Sequence, residues 1–223
     1  MLKVLNDFAG VGGNRKLWDK VKVVAVENNP DIAKIYQDFF PDDEVIITDG
    51  HQFLLENFKE FDFIWSSPPC PSHSKLNFML QNTKHNRDLN YPDMRLYQEI
   101  ILLDTWFKGK YCIENVISYY NPLVKPQELG RHYYWANFYI TPFSETSRPK
   151  IKGGEVPDAE AIRQLQEYLE FDLSNYDKIR YKKGKVSVLR NCVYPPHGKH
   201  ILDCARGQTV KPLTEFMEAS VRE

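Results

Sequence analysis

A cysteine held between prolines is the residue of this sequence best suited to covalent chemistry. Cys70 lies in Ser67-Pro68-Pro69-Cys70-Pro71, shortly after the apolar run Phe61–Trp65. Each proline fixes its own φ angle, so the backbone around the thiol is stiff. A thiol reacts as the thiolate, which needs a partly exposed and electropositive setting. The pattern favours a nucleophilic Cys70 over an inert cysteine in a proline-rich turn.

A glutamate at the end of another apolar run is the second candidate. Glu114 follows Tyr111-Cys112-Ile113 and precedes Asn115-Val116. A carboxylate at the end of a buried strand is costly unless it meets a partner or a ligand. The period of two along a strand places Cys112 on the same face, where we expect it to belong to the core. The alternative role for Glu114 is to cap the next turn.

A glycine-rich turn follows the first apolar run. Gly10, Gly12 and Gly13 form G-x-G-G, and Arg15 stands where a dinucleotide fingerprint has its third glycine, which disfavours a nicotinamide cofactor. The turn still lets a ligand approach backbone N–H groups at the start of a predicted helix. Glu27 ends the second run, where a ribose-binding acid is expected. An ordinary tight turn is the alternative.

Two cysteines and two histidines lie close together near the carboxyl end. Cys192, His197, His200 and Cys204 give C-x4-H-x2-H-x3-C, which fits no common zinc-finger spacing and contains Pro195-Pro196. We predict that these four residues bind no metal ion and that the two histidines face solvent on a turn.

Strands that alternate with helices must position these residues. Apolar runs predict strands near residues 2–8, 21–26, 45–49, 61–65 and 111–114, and helices over 32–39, over 94–107 and after the glycine turn up to residue 17. We predict an α/β fold, a mostly parallel sheet with helices on both faces. Ligands of such sheets bind beyond the carboxyl ends of the strands. Polar groups follow five consecutive runs, at Asp7, Glu27, Asp49, residues 66–70 and residues 114–115.

The later sequence is less regular. Residues 151–189 are interpreted as an insertion with one helix near residues 162–169. Residues 189–196 predict a strand and turn, and residues 213–217 predict a closing amphipathic helix.

Composition predicts a soluble globule of one domain with insertions. The 223 residues are 42% hydrophobic and 26% charged, which excludes collagen, coiled coil and extensive disorder. No apolar run reaches the roughly 20 residues of a membrane span, and we expect no signal peptide. Four cysteines without a C-x-x-C pair are typical of a reducing, cytoplasmic setting.

The net charge of −1 hides an asymmetry. Asp19–Asp62 contains eleven acids and four bases, whereas Lys178–Lys199 contains seven lysines or arginines and no acid. The basic stretch is suited to face a polyanion.

Taken in order, these segments resemble the cytosine-C5 DNA methyltransferases over roughly residues 1–138 and 190–223. The segments that resemble the family are Asp7-Phe8-Ala9-Gly10-Val11-Gly12-Gly13, Glu27-Asn28-Asn29, Asp49-Gly50, Pro69-Cys70-Pro71-Ser72-His73-Ser74, Glu114-Asn115-Val116 and Asn191-Cys192-Val193-Tyr194-Pro195. The resemblance implies a Rossmann-like S-adenosylmethionine-dependent methyltransferase fold. Pro71 replaces the family's usual glutamine, and Arg190 replaces the usual glycine before the late asparagine.

The resemblance also implies roles for single residues. Cys70 would add to C6 of a flipped-out cytosine, Glu114 would hydrogen-bond N3 and the exocyclic amine, and Arg131 would contact the base. The residues implied to hold S-adenosylmethionine are Asp7, Phe8, Gly10, Gly12, Gly13, Glu27, Asn28, Asp49, Gly50, Pro69, Asn191 and Val193. The candidates for nucleic-acid contact are Ser74, Lys75, Lys84, Arg87, Arg180, Lys182, Lys183 and Lys185.

Three parts follow from the resemblance. Residues 1–138 would form the catalytic and cofactor-binding domain, residues 139–189 a short target-recognition insertion, and residues 190–223 the return to the catalytic domain. The short insertion suggests that a dimer or a partner completes the recognition surface. The resemblance implies DNA as partner, no membrane, and a cytoplasmic enzyme, bacterial or phage-encoded, of the restriction-modification kind.

Other functions stay open. Ser67-Pro68-Pro69 resembles the Ser-Pro-Pro-aromatic motif of N4-cytosine methyltransferases, although Cys70 takes the aromatic position. RNA, especially a tRNA loop, is a second alternative substrate, and a catalytically silent nucleic-acid-binding protein is an alternative of another class. In a further variant Arg190 would pair with the carboxylate of a modified S-adenosylmethionine whose modified group is transferred.

Overall fold

The computed structural model describes residues 1–81, 91–144, 148–149, 151, 156–176 and 178–208. The strands are β1 (Leu2–Asp7), β2 (Val21–Val26), β3 (Glu44–Ile46), β4 (Phe63–Ser66), β5 (Lys110–Val116), β6 (Gln127–Leu129) and β7 (His132–Ala136). The helices are α1 (Pro30–Phe39), α2 (Gly50–Asn57), α3 (Lys75–Gln81), α4 (Arg95–Trp106), α5 (Asp158–Leu169), α6 (Lys185–Asn191) and α7 (Pro195–Ala205), with a 3-10 turn at Phe58–Glu60. None of these helices is long and apolar enough to cross a bilayer.

The strands form one sheet in the order β3-β2-β1-β4-β5-β7-β6. Strands β1 to β5 pair in parallel with one another, whereas β7 runs antiparallel to both β5 and β6. The strand order reverses between β1 and β4, and ligands of open α/β sheets bind at such a switch point. The turns after β1 and β4, which hold the glycines and Cys70, therefore meet at the expected place. The predicted mostly parallel α/β sheet is confirmed.

Apolar layers cover both faces of the sheet. On β1 the neighbouring residues Val4 and Leu5 point to opposite sides, as the period of two requires. Leu5 packs with Leu54 of α2 and Leu103 of α4, whereas Val4 packs with Ile201 of α7. All five side chains are fully buried, and burial of such a side chain stabilises by about 1.5–3 kcal/mol. The sheet is thus a rigid support for the turns at its carboxyl edge.

The region after β7 packs onto α1. Ile32 and Ile35 of α1 belong to one buried cluster with Leu165 and Leu169 of α5 and Val188 of α6. Residues between the two segments of family resemblance therefore share an apolar core with α1, and their basic loop is fixed relative to it.

The glycine turn is not followed by a helix, contrary to the sequence prediction. Residues 8–20 form successive turns between β1 and β2. A Cβ on Gly13 would collide with Val193, and a Cβ on Gly198 of α7 would collide with Asn14. Arg15 donates two hydrogen bonds to Asp43, at 2.8 and 3.0 Å. Close packing against α7 and this ion pair fix the segment without helical hydrogen bonds.

The strand predicted over residues 189–196 is also absent. These residues form the end of α6, a short connection and the start of α7, where Pro195 begins the helix. Proline suits the first helical turn because its missing N–H has no intrahelical partner there. The closing helix predicted near residues 213–217 lies outside the described residues.

Candidate active site

A cavity of about 360 Å³ lies at the carboxyl edge of the sheet. The predicted site residues that line it are Phe8, Gly10, Gly13, Glu27, Asn28, Pro69, Cys70, Glu114, Arg131, Lys182, Asn191 and Val193. A smaller cavity of about 90 Å³ shares Phe8, Asn28, Pro68 and Pro69 with the first and adds Asp49. The fold thus brings the three predicted catalytic residues to the same cavity as most of the predicted cofactor residues.

Three predicted cofactor residues lie behind these cavities and line neither of them. Asp7 is fully buried and accepts a hydrogen bond from the Phe8 N–H at 3.1 Å. Burial and the nearby Glu99 raise the pKa of Asp7 well above its usual range. A Cβ on Gly50 would collide with Asp7 and Phe8, and Gly12 packs closely against α1. These residues shape the wall from behind.

Cys70 lies in the turn that follows β4, and its side chain is partly exposed. Asn115 at the end of β5 donates a hydrogen bond to the Pro68 carbonyl at 3.0 Å, which ties this turn to the strand of Glu114. Burial raises the pKa of the Cys70 thiol, and the charge of Glu114 raises it further, whereas Lys182 lowers it. The free protein therefore favours the thiol, and Lys182 is the side chain that opposes this preference.

Glu114 faces β7 across the sheet. It lies opposite Tyr134 in the register, and its Oε1 is 3.4 Å from Nε2 of His132. Arg131 precedes β7, is exposed, and lines the same cavity. His132 was not among the residues predicted from the sequence to act at the site. The alternation of β7 could have identified it, because His132 and Tyr134 share a face, but only once β7 was known to pair with β5.

Glu27 is held by backbone donors at the mouth of the cavity. Its carboxylate accepts hydrogen bonds from the Gly10 N–H at 3.1 Å and the Asn29 N–H at 2.9 Å. Burial raises the pKa of Glu27, and these N–H groups oppose the rise. Gly10 has φ of +55° and open space where a Cβ would stand, so a ligand can approach its backbone. Phe8 also has a positive φ of 53°, an uncommon conformation that sets its ring between the two cavities.

Asp49 closes the smaller cavity at the start of α2. Its side chain caps that helix by accepting a hydrogen bond from the Gln52 N–H at 2.9 Å, and Arg95 lies 4.0 Å away. The remaining face of this carboxylate is exposed and adjoins the cavity.

The basic loop 180–184 is fastened to α1. Arg180 donates to Asp31 through its backbone N–H, Nε and Nη2 at 2.8, 3.1 and 3.0 Å, and its carbonyl accepts from Asn29. Arg180 is therefore committed to an ion pair. Lys182, two residues further along the loop, has a positive φ of 43° and lines the cavity. Arg190 of α6 lines the same cavity. The loop places Lys182 within electrostatic range of Cys70.

The other predicted nucleic-acid contacts that the structure describes do not line the cavity. Ser74 pairs with Ser118 in an isolated bridge, Lys75 begins α3, and Lys183 is exposed. Lys185 donates to the Ser174 carbonyl at 3.2 Å. Lys84 and Arg87 lie outside the described residues.

The two histidines of the late cysteine and histidine group lie in helix α7 and not on a turn, contrary to the prediction. His197 is buried, whereas His200 is half-buried and its Nε2 is 2.8 Å from the Thr141 carbonyl oxygen. Helical spacing turns both toward neighbouring elements. Over the described ranges, no group of three or more His, Cys, Asp or Glu side chains is arranged to hold a metal ion.

Replacing Lys182 is expected to make the cysteine less reactive. In Lys182→Met the positive charge near Cys70 is lost, so the thiol pKa rises and the thiolate fraction near neutral pH falls. We expect iodoacetamide to alkylate Cys70 more slowly, and the pH midpoint of alkylation to move upward. Peptide mass spectrometry measures the rate, and Lys183→Met is the matched control. An unchanged midpoint would place Lys182 outside the thiol's electrostatic environment.

Comparison with known proteins gives one family and several distant structures. Residues 2–116 match the family described as C-5 cytosine-specific DNA methylase. No curated protein matches the chain. A DNMT2 variant from Spodoptera frugiperda is 22% identical over 52% of this chain and 36% of its own, with a TM-score of 0.38. A methyltransferase of Entamoeba histolytica is 15% identical over 74% and 65%, with a TM-score of 0.40. An RNA methyltransferase from Salinibacter ruber, in complex with S-adenosyl-L-homocysteine, is 14% identical over 68% and 87%, with a TM-score of 0.33. The chain thus spans about a third of the DNMT2 chain.

Proposed function

Since the chain belongs to the C-5 cytosine-specific DNA methylase family, we propose that it methylates C5 of a flipped-out cytosine in DNA, with S-adenosylmethionine as methyl donor and a covalent adduct on Cys70. The main support is the cavity in which Cys70 and Glu114 meet Glu27 and the glycine turn. A nucleophile, a carboxyl group and a candidate cofactor acid thus face one space that a pyrimidine ring can enter.

The residues of the two cavities suit S-adenosylmethionine. Glu27 offers carboxylate oxygens to ribose hydroxyls, Phe8 offers a ring to the adenine, and Asp49 offers an acceptor to an amine. Asn191 and Val193 line the same cavity from the carboxyl-terminal segment. When bound, S-adenosylmethionine supplies an electrophilic methyl group on a sulfonium. The open space at Gly10 leaves room for close approach to the backbone.

Cys70 and Glu114 act first on the cytosine ring. C5 of cytosine is a weak nucleophile, so the ring must first gain electron density there. The Cys70 thiolate adds to C6, while Glu114 gives a proton to N3 and accepts a hydrogen bond from the exocyclic amine. Protonation at N3 neutralises the charge that develops on the ring, and C5 becomes nucleophilic.

The same two residues reverse these changes after C5 is substituted. Loss of the C5 proton to a base expels the Cys70 sulfur from C6. The N3 proton returns to Glu114, and the aromatic ring is restored. Cys70 and Glu114 thus end the cycle in the states in which they began it.

The target base must leave the helix to reach this cavity. Extrusion of a base costs about a few kcal/mol, which contacts between the protein and the nucleic acid must offset. Lys182, which lines the cavity, and the exposed Lys183, the next residue in the chain, are our candidates for phosphate contact, so we propose binding that weakens as salt increases. Cytoplasmic location, bacterial or phage origin, a restriction-modification role and a dimer or partner stay predictions.

The test is a methyl-transfer assay with labelled S-adenosylmethionine. Purified protein is incubated with mixed-sequence DNA or a matched RNA at several salt concentrations, and mass spectrometry identifies the modified nucleoside. 5-Methylcytosine in DNA is the expected product. N4-methylcytosine would support the amino-group alternative, and modification of RNA alone would change the substrate. No transfer under any condition would favour a silent nucleic-acid-binding protein. A parallel arm with a carboxylated cofactor tests the variant that involves Arg190.

Replacing Glu27 is expected to weaken cofactor binding. Glu27→Gln removes one carboxylate oxygen and the charge, both for the cofactor and for the N–H groups of Gly10 and Asn29. Loss of one hydrogen bond to a charged group costs about 1.5–3 kcal/mol, so we expect the Kd for S-adenosylmethionine to rise by about 10-fold to 100-fold. Titration calorimetry measures it. Glu44→Gln, on the exposed side of β3, is the control, and an equal Kd in the two variants would contradict the role of Glu27.

A further inference from the structure

Glu114 has a histidine neighbour on the adjacent strand, and we propose that His132 is a positioning residue that keeps a proton on the His132–Glu114 pair. Through Glu114 this proton reaches N3 of the cytosine. The inference rests on the proposed cytosine-C5 chemistry and adds the source of its proton.

The register of the sheet brings the two side chains together. Val116 lies opposite His132 and Glu114 lies opposite Tyr134, so Glu114 and His132 are diagonal neighbours on one face. Nε2 of His132 is 3.4 Å from Oε1 of Glu114, and both side chains line the main cavity. The side chain of His132 is 29% exposed and that of Glu114 is 12% exposed. Solvent can therefore supply a proton to His132, whereas Glu114 is largely covered.

A proton bound to this pair reduces the repulsion between Glu114 and the Cys70 thiolate. The charged and titratable groups that line the same cavity are Cys70 after β4, Arg131 and Tyr134 at β7, Glu27 after β2, Arg148, Tyr181, Lys182, Arg190 and Tyr194 from the later segments, and His197 from α7, with Cys112 buried near Glu114 on β5. A negative Glu114 opposes formation of the Cys70 thiolate. A proton shared between His132 and Glu114 offsets that conflict.

The proposed chemistry needs a thiolate and a carboxyl proton at the same time. Model glutamate and histidine side chains titrate near about 4.3 and 6.5, so an isolated glutamate holds little proton at neutral pH. An imidazole keeps its proton to higher pH than a carboxyl group does, and Nε2 of His132 is 3.4 Å from Oε1 of Glu114. A protonated His132 can therefore resupply Glu114 with the proton that goes to the ring.

The proton and electron movements balance. His132 passes its proton to Glu114 and becomes neutral, and this proton moves on to N3 while the Cys70 sulfur forms a bond to C6 and the electrons of the C5–C6 double bond move toward C5. C5 then forms its bond to the transferred methyl group. On elimination a base takes the C5 proton, the C5–C6 double bond forms again, the S–C6 bond breaks, and the N3 proton returns through Glu114 to His132.

The test is the pH dependence of methyl transfer, measured as kcat and KM from about pH 5.5 to about pH 9, a range that spans the titration of histidine. In His132→Gln we expect kcat to fall by about 10-fold or more near pH 8, since proton transfer by a positioned group contributes about 10² to 10⁴. The deficit should shrink toward pH 6 because the falling alkaline limb moves to lower pH. His200→Gln, which removes a histidine outside the cavity, should keep the wild-type profile.

A second variant separates the proton from the charge. His132→Lys keeps a cation beside Glu114 but does not release its proton in this range. We expect KM near the wild-type value with kcat as low as in His132→Gln. A wild-type pH profile in either variant, merely scaled, would overturn the proposal. If His132→Gln fails to fold, shown by its thermal unfolding, His132→Lys decides alone. Absence of 5-methylcytosine with the wild-type protein would instead refute the proposed function.

Discussion

Cys70→Ser is expected to lose methyl transfer by about 10³-fold or more while its affinity for S-adenosylmethionine stays near that of the wild type. A serine hydroxyl is far less acidic than a thiol, so it supplies almost no anion to attack C6. Cys70 and Glu27 line the same cavity, and the Glu27 carboxylate is held by the N–H groups of Gly10 and Asn29, so exchange of sulfur for oxygen in Cys70 leaves these hydrogen bonds intact. Activity and cofactor binding should therefore separate in this variant.

A mechanism-based trap tests the same residue directly. DNA that contains 5-fluorocytosine cannot lose its C5 substituent, so elimination stops and the protein stays attached. The wild type should give a complex that survives denaturing electrophoresis, with Cys70 as the modified residue by mass spectrometry. Cys204→Ser, which changes a buried cysteine that does not line the cavity, should still be trapped. Trapping of Cys70→Ser, or methylation by it at the wild-type rate, would contradict the covalent role.

Much of the sheet could be predicted because buried parallel strands have near-continuous apolar runs. Val23 to Val26 is such a run, and every residue of it is buried. The prediction of a helix after Gly13 was wrong, because the local sequence pattern contains no information about the contacts of this segment with α7. Gly198 packs against Asn14 and Val193 packs against Gly13, and these contacts between distant parts of the chain set the backbone of the turn.

The strand predicted at residues 189–196 failed for a related reason. Leu189, Cys192 and Val193 are apolar residues that fit a strand or a helix, and Leu189 and Cys192 are buried at the end of α6. Their cluster with α1 and α5 decides between the two, and no local pattern reports it.

The candidate site also contains residues that could be predicted from the sequence and residues that could not. Cys70, Glu114 and Glu27 could be identified because each follows an apolar run, and strand ends meet at one edge of a parallel sheet. His132 could not be identified from the sequence, since its position next to Glu114 depends on the pairing of β7 with β5. Lys182 was assigned to phosphate contact from charge alone. Its place beside the thiol depends on Arg180, whose ion pair with Asp31 fixes the loop.

Glu114→Gln is expected to change two measurements in opposite directions. The amide keeps the shape of the side chain and can hydrogen-bond the base, but it cannot give a proton to N3. Loss of this proton transfer should reduce methyl transfer by about 10² to 10⁴-fold. The substitution also removes a negative charge that raises the pKa of the Cys70 thiol, so that pKa falls and the thiolate fraction near neutral pH grows.

Iodoacetamide should therefore alkylate Cys70 faster in Glu114→Gln, although methyl transfer is slower. A general loss of structure does not predict a lower pH midpoint of alkylation, whereas removal of the charge does. Glu128→Gln, exposed on β6, should change neither measurement. Slower alkylation in Glu114→Gln, or methyl transfer at the wild-type rate, would show that Glu114 does not act on both the thiol and the base. Faster alkylation of Cys70 together with slower methyl transfer would show that the carboxyl proton, more than the supply of thiolate, limits the reaction.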